Sequence, residues 1–269
     1  MQLYPAVVVI SLSAVLMLEA LAPLHATPSP PLRRWAHNFA LSALAVGVTL
    51  TMPFVFRWVG QVWPVHPIAG GMTTWGLPVA AQWLITFLLL ESCLYAFHRL
   101  AHRVPWLWRL HAVHHSDTEL DATTTHRHHP LENLAAALFT LPVLWWLGLP
   151  WAAVLSFSLL AVLVSTVSHG NLRLPEWLDR PLRWLIVTPA YHRVHHSAHQ
   201  PQTDSNYATL LTVWDHLFRT ASAAPADRAR GLTIGLDYAR APADQTVVQL
   251  LAWPFTQPPR AGPGRSRAV

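Results

Sequence analysis

Residues 77–103 read LPVAAQWLITFLLLESCLYAFHRLAHR. Its first 21 residues carry a single charge, Glu91, and run directly into two histidines. A helix needs about 20 predominantly apolar residues to cross a bilayer, so residues 76–97 predict a spanning helix. His98 and His102 follow at i, i+4, the spacing that puts two side chains on one helix face. The segment therefore delivers paired imidazoles at the end of a membrane helix.

Working outward, residues 5–24 and 35–56 are two further apolar runs of spanning length. The first carries Glu19 near its end and has no positive segment before it, so it reads as an anchor helix in preference to a signal peptide. Residues 133–168 hold two shorter apolar runs broken at Gly148-Leu149-Pro150, a helical hairpin that crosses or re-enters. Residues 173–255 mix polar and aromatic side chains and read as cytosol-facing. The last stretch, 256–269, is rich in Pro, Gly and Arg and reads as a disordered tail.

The totals agree with a membrane protein. The chain has 269 residues, 52% hydrophobic and only 12% charged, about half the charge of a soluble domain. All 18 basic residues are arginine. They stand beside apolar segments, which suits a membrane border better than a nucleic-acid stripe. One cysteine, Cys93, excludes a disulfide framework, a four-cysteine iron–sulfur site and a CxxC redox pair. Arg33 and Arg34 after the first helix, and Arg99, Arg103 and Arg109 after the third, place the histidines inside by the positive-inside rule. Arg57 is the single exception.

The histidines form boxes. After His98 and His102 comes HAVHHS with His111, His114 and His115; later HRVHHS carries His192, His195 and His196, and VSHGN carries His169. Imidazole is the commonest side-chain metal ligand near neutral pH. Stacked imidazoles with no anion among them would repel when protonated, and make sense around a divalent ion. Zinc uses three or four ligands, so eight or nine imidazoles suit two metals. A zinc protease would want HExxH, and a haem would need only one or two of these side chains. Imidazole alone does not choose among iron, zinc, copper and nickel. His25, His37, His66 and His216 stand alone and receive no role, while His126, His128, His129 and His199 could bind metal adventitiously.

The ordered boxes HRLAH, HAVHH and HRVHH resemble the eight-histidine signature of the sterol desaturase / fatty acid hydroxylase superfamily of membrane di-iron oxygenases. Glu91 holds the acidic position seven before the first box, where the family usually has aspartate. HHSDTELDATTTHRHHPLE, SHGNLRLPEWLDRPLRWLIVTPAYHRVHHS and TDSNYATLLTVWDHLFRT also resemble the family's segments. Ala208 and His216 stand where glycine and arginine are usual. The likeness covers residues 76–255, which it marks as the catalytic domain behind N-terminal membrane helices in 1–75.

The resemblance implies an all-α integral membrane bundle of four to five membrane helices, capped on the cytoplasmic side by a histidine-rich di-metal layer. It carries His98, His102, His111, His114, His115, His192, His195 and His196 over as metal ligands, with His169 as a ninth and His129 as a weaker candidate for a place behind the ligands. Glu91, Asn206 and Asp215 could orient imidazole N–H groups, or could serve as ordinary caps. The implied chemistry uses two iron ions, O₂ and a membrane lipid of fatty acyl, sterol or ether-lipid type. Zinc could replace iron in purified protein. Hydroxylation of a C–H bond is the leading reading, with desaturation on the same site as the alternative. Without a strand–GxGxxG–helix unit or a cysteine cluster, the electron donor, whether a ferredoxin, a cytochrome b5-like protein, a flavoprotein or a pterin, must come from outside the chain. A membrane metal sensor or transporter is the competing class. A transporter would bury ionisable side chains along a midplane path, whereas these histidines collect at helix ends.

Overall fold

Proline and glycine punctuate the apolar runs and set the helix limits. The structure, a computed structural model, describes residues 3–26, 31–62, 71–222 and 231–256; His66 and, from 257 on, the predicted tail lie outside them. The first two helices are α1 (Leu3–Leu21) and α2 (Leu32–Val62). Pro78 precedes α3 (Val79–Arg103), which carries both His98 and His102 in its last turns. Pro105 then pushes Val104 into extended backbone, so α4 (Pro105–His115) starts in a new direction. The predicted hairpin is α5 (Pro130–Leu147) and α6 (Trp151–His169). Between them Gly148 is left-handed, φ 56°, and its N–H donates to the carbonyls of Leu144 and Trp145, a glycine C-terminal cap.

Short helices follow: α7 (Glu176–Leu182), α8 (Pro189–His195), α9 (Gln200–Thr203) and α10 (Val213–Leu217), with α11 (Val247–Thr256) closing the described chain. Among the described residues there are no β-strands, only three isolated bridges. Residues 4–21, 79–103, 130–147 and 151–169 are each long and apolar enough to cross a membrane. The fold is an all-α integral membrane bundle.

α1 packs on α6, α2 on α5, and α3 on α4, α5 and α6; α8 leans on α6, and α11 on α4. One buried cluster joins Leu90 of α3 to Val154, Phe157 and Ala161 of α6 and to Leu210. A second joins Leu41 of α2 to Trp108, Ala112 and Val113 of α4 and to Leu250 and Trp253 of α11.

Polar contacts tie the N-terminal helices to the cap. Glu19 accepts the backbone N–H groups of Ala122 (2.9 Å) and Asn171 (2.7 Å). The acid in the first apolar run is therefore a buried connector. Arg34 ion-pairs with Asp117 at 2.8 Å and with Asp121. Arg127, fully buried, donates to Val113 O, Asn38 Oδ1 and Ser116 Oγ. Arg34 thus works as an internal clamp, although its position in the chain reads as a membrane-border charge.

Candidate metal centre

The repeated box is divided between two clusters of side chains. His98, His102, His111, His115 and His195 form the first, and His114, His169, His192 and His196 the second. α4 sends its i, i+4 pair, His111 and His115, to the first cluster and His114 to the second. α8 and the residue after it do the reverse: His192 and His196 go to the second cluster and His195 to the first. α3 and α6 complete the two sets with His98 and His102 on one side and His169 on the other. A spacing of i, i+3, i+4 puts three imidazoles on one helix face, yet it spreads the rings enough to serve two neighbouring points. The clusters adjoin, with the His115 and His196 rings stacked 4.6 Å apart.

Backbone and carboxylate partners fix which ring nitrogen carries hydrogen. Carbonyl oxygens can only accept, so Nδ1–H of His98 donates to Tyr207 O (2.7 Å) and Nδ1–H of His195 to Ser205 O (2.7 Å). Likewise Nδ1–H of His169 donates to Ser165 O at 2.8 Å. Nδ1 of His111 lies 2.7 Å from the buried Glu132 carboxylate, and Nδ1 of His102 lies 3.3 Å from Asp204. Each of these rings then turns an Nε2 lone pair inward. The Nε2 atoms of His98 and His111 face each other at 3.1 Å. Two lone pairs at that distance repel, and Nε2 of His195 is buried with no hydrogen-bond partner.

A cation resolves this. Nitrogens each about 2.1 Å from one ion stand about 3.0–3.4 Å apart. The inward contacts match: His111–His115 at 3.1 Å, His114–His169 at 3.2 Å, His169–His192 at 2.9 Å and His192–His196 at 3.1 Å. The donor set fits a metal in each cluster.

Burial, and then the neighbouring imidazoles, hold His114, His115, His192, His195 and His196 well below the usual histidine pKa. These side chains are neutral ligands in waiting. A cavity of about 240 Å³ reaches both clusters from between α3, α5 and α6, walled by Leu94, Phe97 and Ala136, with Asn133, Ser165 and Ser168 as its polar spots.

Three residues marked by the sequence lie beside the site but touch no imidazole. Glu91 accepts the backbone N–H groups of Thr209, Leu210 and Leu211 at 2.9–3.1 Å. Asp215 takes the N–H groups of Tyr207 and Ala208, both at 2.9 Å. Asn206, left-handed at φ 55°, donates to Tyr191 O and Ser222 O. All three pin the strip 205–211, whose carbonyls hold His195 and His98.

His129 faces other partners. Its Nδ1 caps α5 by accepting Leu131 N–H, and its Nε2 meets Leu251 O on α11, so it is in neither cluster. Sequence reading overlooked Glu132 and Asp204 and set His128 aside as an adventitious binder. Glu132 stands in the first turn of α5, facing His111 with one oxygen and His128 with the other at 3.2 Å. His128 in turn stacks on His114, 4.3 Å between centroids. The available signal was α5's start at Pro130, which aims Glu132 at the site and His129 away from it. His216, the departure after Trp-Asp, stacks on Trp184 at 4.5 Å, outside both clusters.

A helical membrane bundle with two adjoining, buried polyhistidine clusters is the class that fold and site define. The chain belongs to the fatty acid hydroxylase family, whose pattern matches residues 83–220, as the resemblance implied. Alkylglycerol monooxygenase of Xenopus tropicalis is 32% identical over 68% of this chain and 40% of its own length. Ornithine lipid hydroxylase OlsE of Rhizobium tropici is 35% identical over 53% of this chain and 42% of its own. Cholesterol 25-hydroxylase of Rattus norvegicus is 31% identical over 53% and 47%. The chain spans about two fifths to half the length of these curated relatives. No solved structure matches it.

Proposed function

We propose that this protein is a membrane-bound oxygenase that hydroxylates a C–H bond of a lipid, with two iron ions held by the nine clustered histidines. The convergence of the Nε2 atoms of nine buried imidazoles, with His98 and His111 3.1 Å apart, carries the reading, because a cation bound in each cluster makes that arrangement favourable. The names of the relatives, hydroxylases and monooxygenases of alkylglycerol, ornithine lipid and cholesterol, support the substrate class. When bound, redox-active iron supplies the capacity to activate O₂, which zinc cannot.

The chain's own groups do the rest. Glu132, Asp204 and the carbonyls of Ser165, Ser205 and Tyr207 fix five of the nine rings, those of His111, His102, His169, His195 and His98, and raise their basicity by taking the outer N–H. Leu94, Phe97 and Ala136 give an acyl tail an apolar route and keep bulk water from the reacting carbon. Asn133, Ser165 and Ser168 can hold a polar linkage of the lipid beside the two clusters. Residues 76–255 are the catalytic unit, with the earlier helices bracing it through Glu19, Arg34 and Asn38. Electrons come from a separate donor, and the histidine face is cytoplasmic.

Lipid extracts from cells with and without the protein test the reaction by mass spectrometry. A gain of about 16 mass units in one lipid class marks hydroxylation and a loss of about 2 marks desaturation. Purified protein should carry close to two metal ions, and His114→Ala or His195→Ala should lower that content and abolish turnover. Full metal and activity in either variant would remove the site.

A further inference from the structure

Two short segments of the cap run back along the spanning helices instead of lying over their ends. Residues 185–187 and 210–212 pair side by side. Val187 N–H donates to Leu210 O at 3.1 Å and Thr212 N–H to Leu185 O at 3.2 Å, with Ile186 and Leu211 bridging.

Their partners set their depth. Leu210 shares its buried cluster with Leu90 of α3 and with Val154, Phe157 and Ala161 of α6. α6 has 19 residues, roughly 28 Å of helix, so it needs its whole length to cross a hydrocarbon core about 30 Å thick. Ala161 is the member of that cluster nearest His169, yet still eight residues from it, about 12 Å inward. Leu210 and its paired segment therefore lie well below the helix ends.

Irregular backbone at such a depth survives only with its polar groups satisfied inside the protein. Glu91 meets that need by accepting three consecutive N–H groups, of Thr209, Leu210 and Leu211. From there the chain climbs α3 toward the histidine end. Phe218 stacks on Tyr95 at 5.4 Å and lies under the Arg99 guanidinium at 5.8 Å. The outer side of this element is apolar and uncovered: Trp184 is 63% exposed, Leu185 67%, Val213 47% and Leu217 62%.

We propose that residues 184–187 and 209–218 form a re-entrant wedge sunk into the leaflet on the histidine side, with Trp184, Leu185, Val213 and Leu217 against lipid acyl chains. This departs from the reading of 173–255 as wholly cytosol-facing. The occupant is the bilayer because the patch continues the lipid-facing surface of α3 and α6 at the same depth. Arg99 and the exposed Arg219 stand beside Phe218 at its outer edge, where headgroup phosphates lie.

The test uses the full chain with Cys93→Ser and one new cysteine carrying a bimane label: Leu185→Cys or Leu217→Cys. Leu84→Cys, exposed on α3, is the lipid control, and Glu119→Cys, exposed outside the spans, is the aqueous control. The proteins are placed in phosphatidylcholine vesicles with or without acyl-chain bromine, and iodide is supplied to both faces. Labels at 185 and 217 should lose fluorescence to bromolipid as the Leu84 control does, and should resist iodide. Quenching by iodide at the level of the Glu119 control would overturn the wedge in favour of a cap standing in water. Protection from both quenchers would overturn it in favour of a patch covered by a second copy of the chain.

Discussion

One carboxylate, Glu132, orients imidazoles at both clusters: His111, a member of the first, and His128, which stacks on His114 of the second. Glu132→Gln keeps the shape but offers one acceptor where two ring N–H groups need partners. It should weaken metal binding about 10–100-fold, read by competition with a chelator; unchanged affinity would make the carboxylate a bystander. Gly170 is the second sensitive position. A Cβ there would lie 2.9 Å from Val167 O and 3.2 Å from Leu172, directly after His169. Gly170→Ala should cost about 1–3 kcal/mol and reduce metal content, measured by thermal midpoint and metal analysis. Normal values of both would show that the turn yields freely. At this scale the sequence was legible where periodicity speaks. The box histidines stand out because i, i+4 spacing is visible in the letters. Glu132 and Asp204 were hidden, because an acid's partner is chosen by how distant helices pack, and His129 drew attention for its neighbours in the chain, although it points away.

At the scale of elements, α4 and α8 explain why the box is written twice. Each helix gives two rings to one cluster and one to the other, so neither cluster can form from a single helix. The apolar runs foretold α1, α2 and α3 and the α5–α6 hairpin as helices, and length and composition mark all of these but α2 as able to span. The strip 205–211 could not be foretold. It has no period, and it is held by Glu91 of α3, by Asp215 of α10 and by its own Asn206, which reaches out to Tyr191 O and Ser222 O. Glu91 tests that dependence. Glu91→Ala would leave three N–H groups unpaired, the buried one of Leu210 alone costing about 1–3 kcal/mol, and would loosen the carbonyls that hold His98 and His195. We expect little folded, metal-loaded protein from Glu91→Ala and near-normal loading from Glu91→Gln, which keeps an acceptor oxygen. Equal yields and metal contents in the two variants would show that the strip does not depend on Glu91.

For the whole molecule, the clusters draw on the ends of α3 and α6 together with α4 and α8, so these must share one side of the membrane. Reporter fusions after Arg103 and after Ser197 should report the same face, and opposite faces would end the two-metal reading. The same convergence makes the protein acid-sensitive in a particular way. Burial and mutual repulsion hold His114, His115, His192, His195 and His196 well below the ordinary value of 6.5. In the unfolded chain they titrate near that value. Above about pH 6.5 both states are neutral at these positions and folding is unopposed. As pH falls below it, the unfolded chain takes up protons that the folded one refuses. Stability then drops by about 1.4 kcal/mol per pH unit for each such ring. The metal-free protein should therefore lose thermal midpoint steeply between about pH 6.5 and 5.5. Metal affinity of the folded protein should stay nearly flat over the same range, because these ligands are already unprotonated and few protons need be displaced. An exposed histidine site would behave the other way, with steady stability and affinity falling as its rings protonate. Melting curves and metal titrations in the same detergent at matched pH values distinguish the two. A flat midpoint with a falling affinity would mean that the imidazoles stand in water and are not packed as a buried centre.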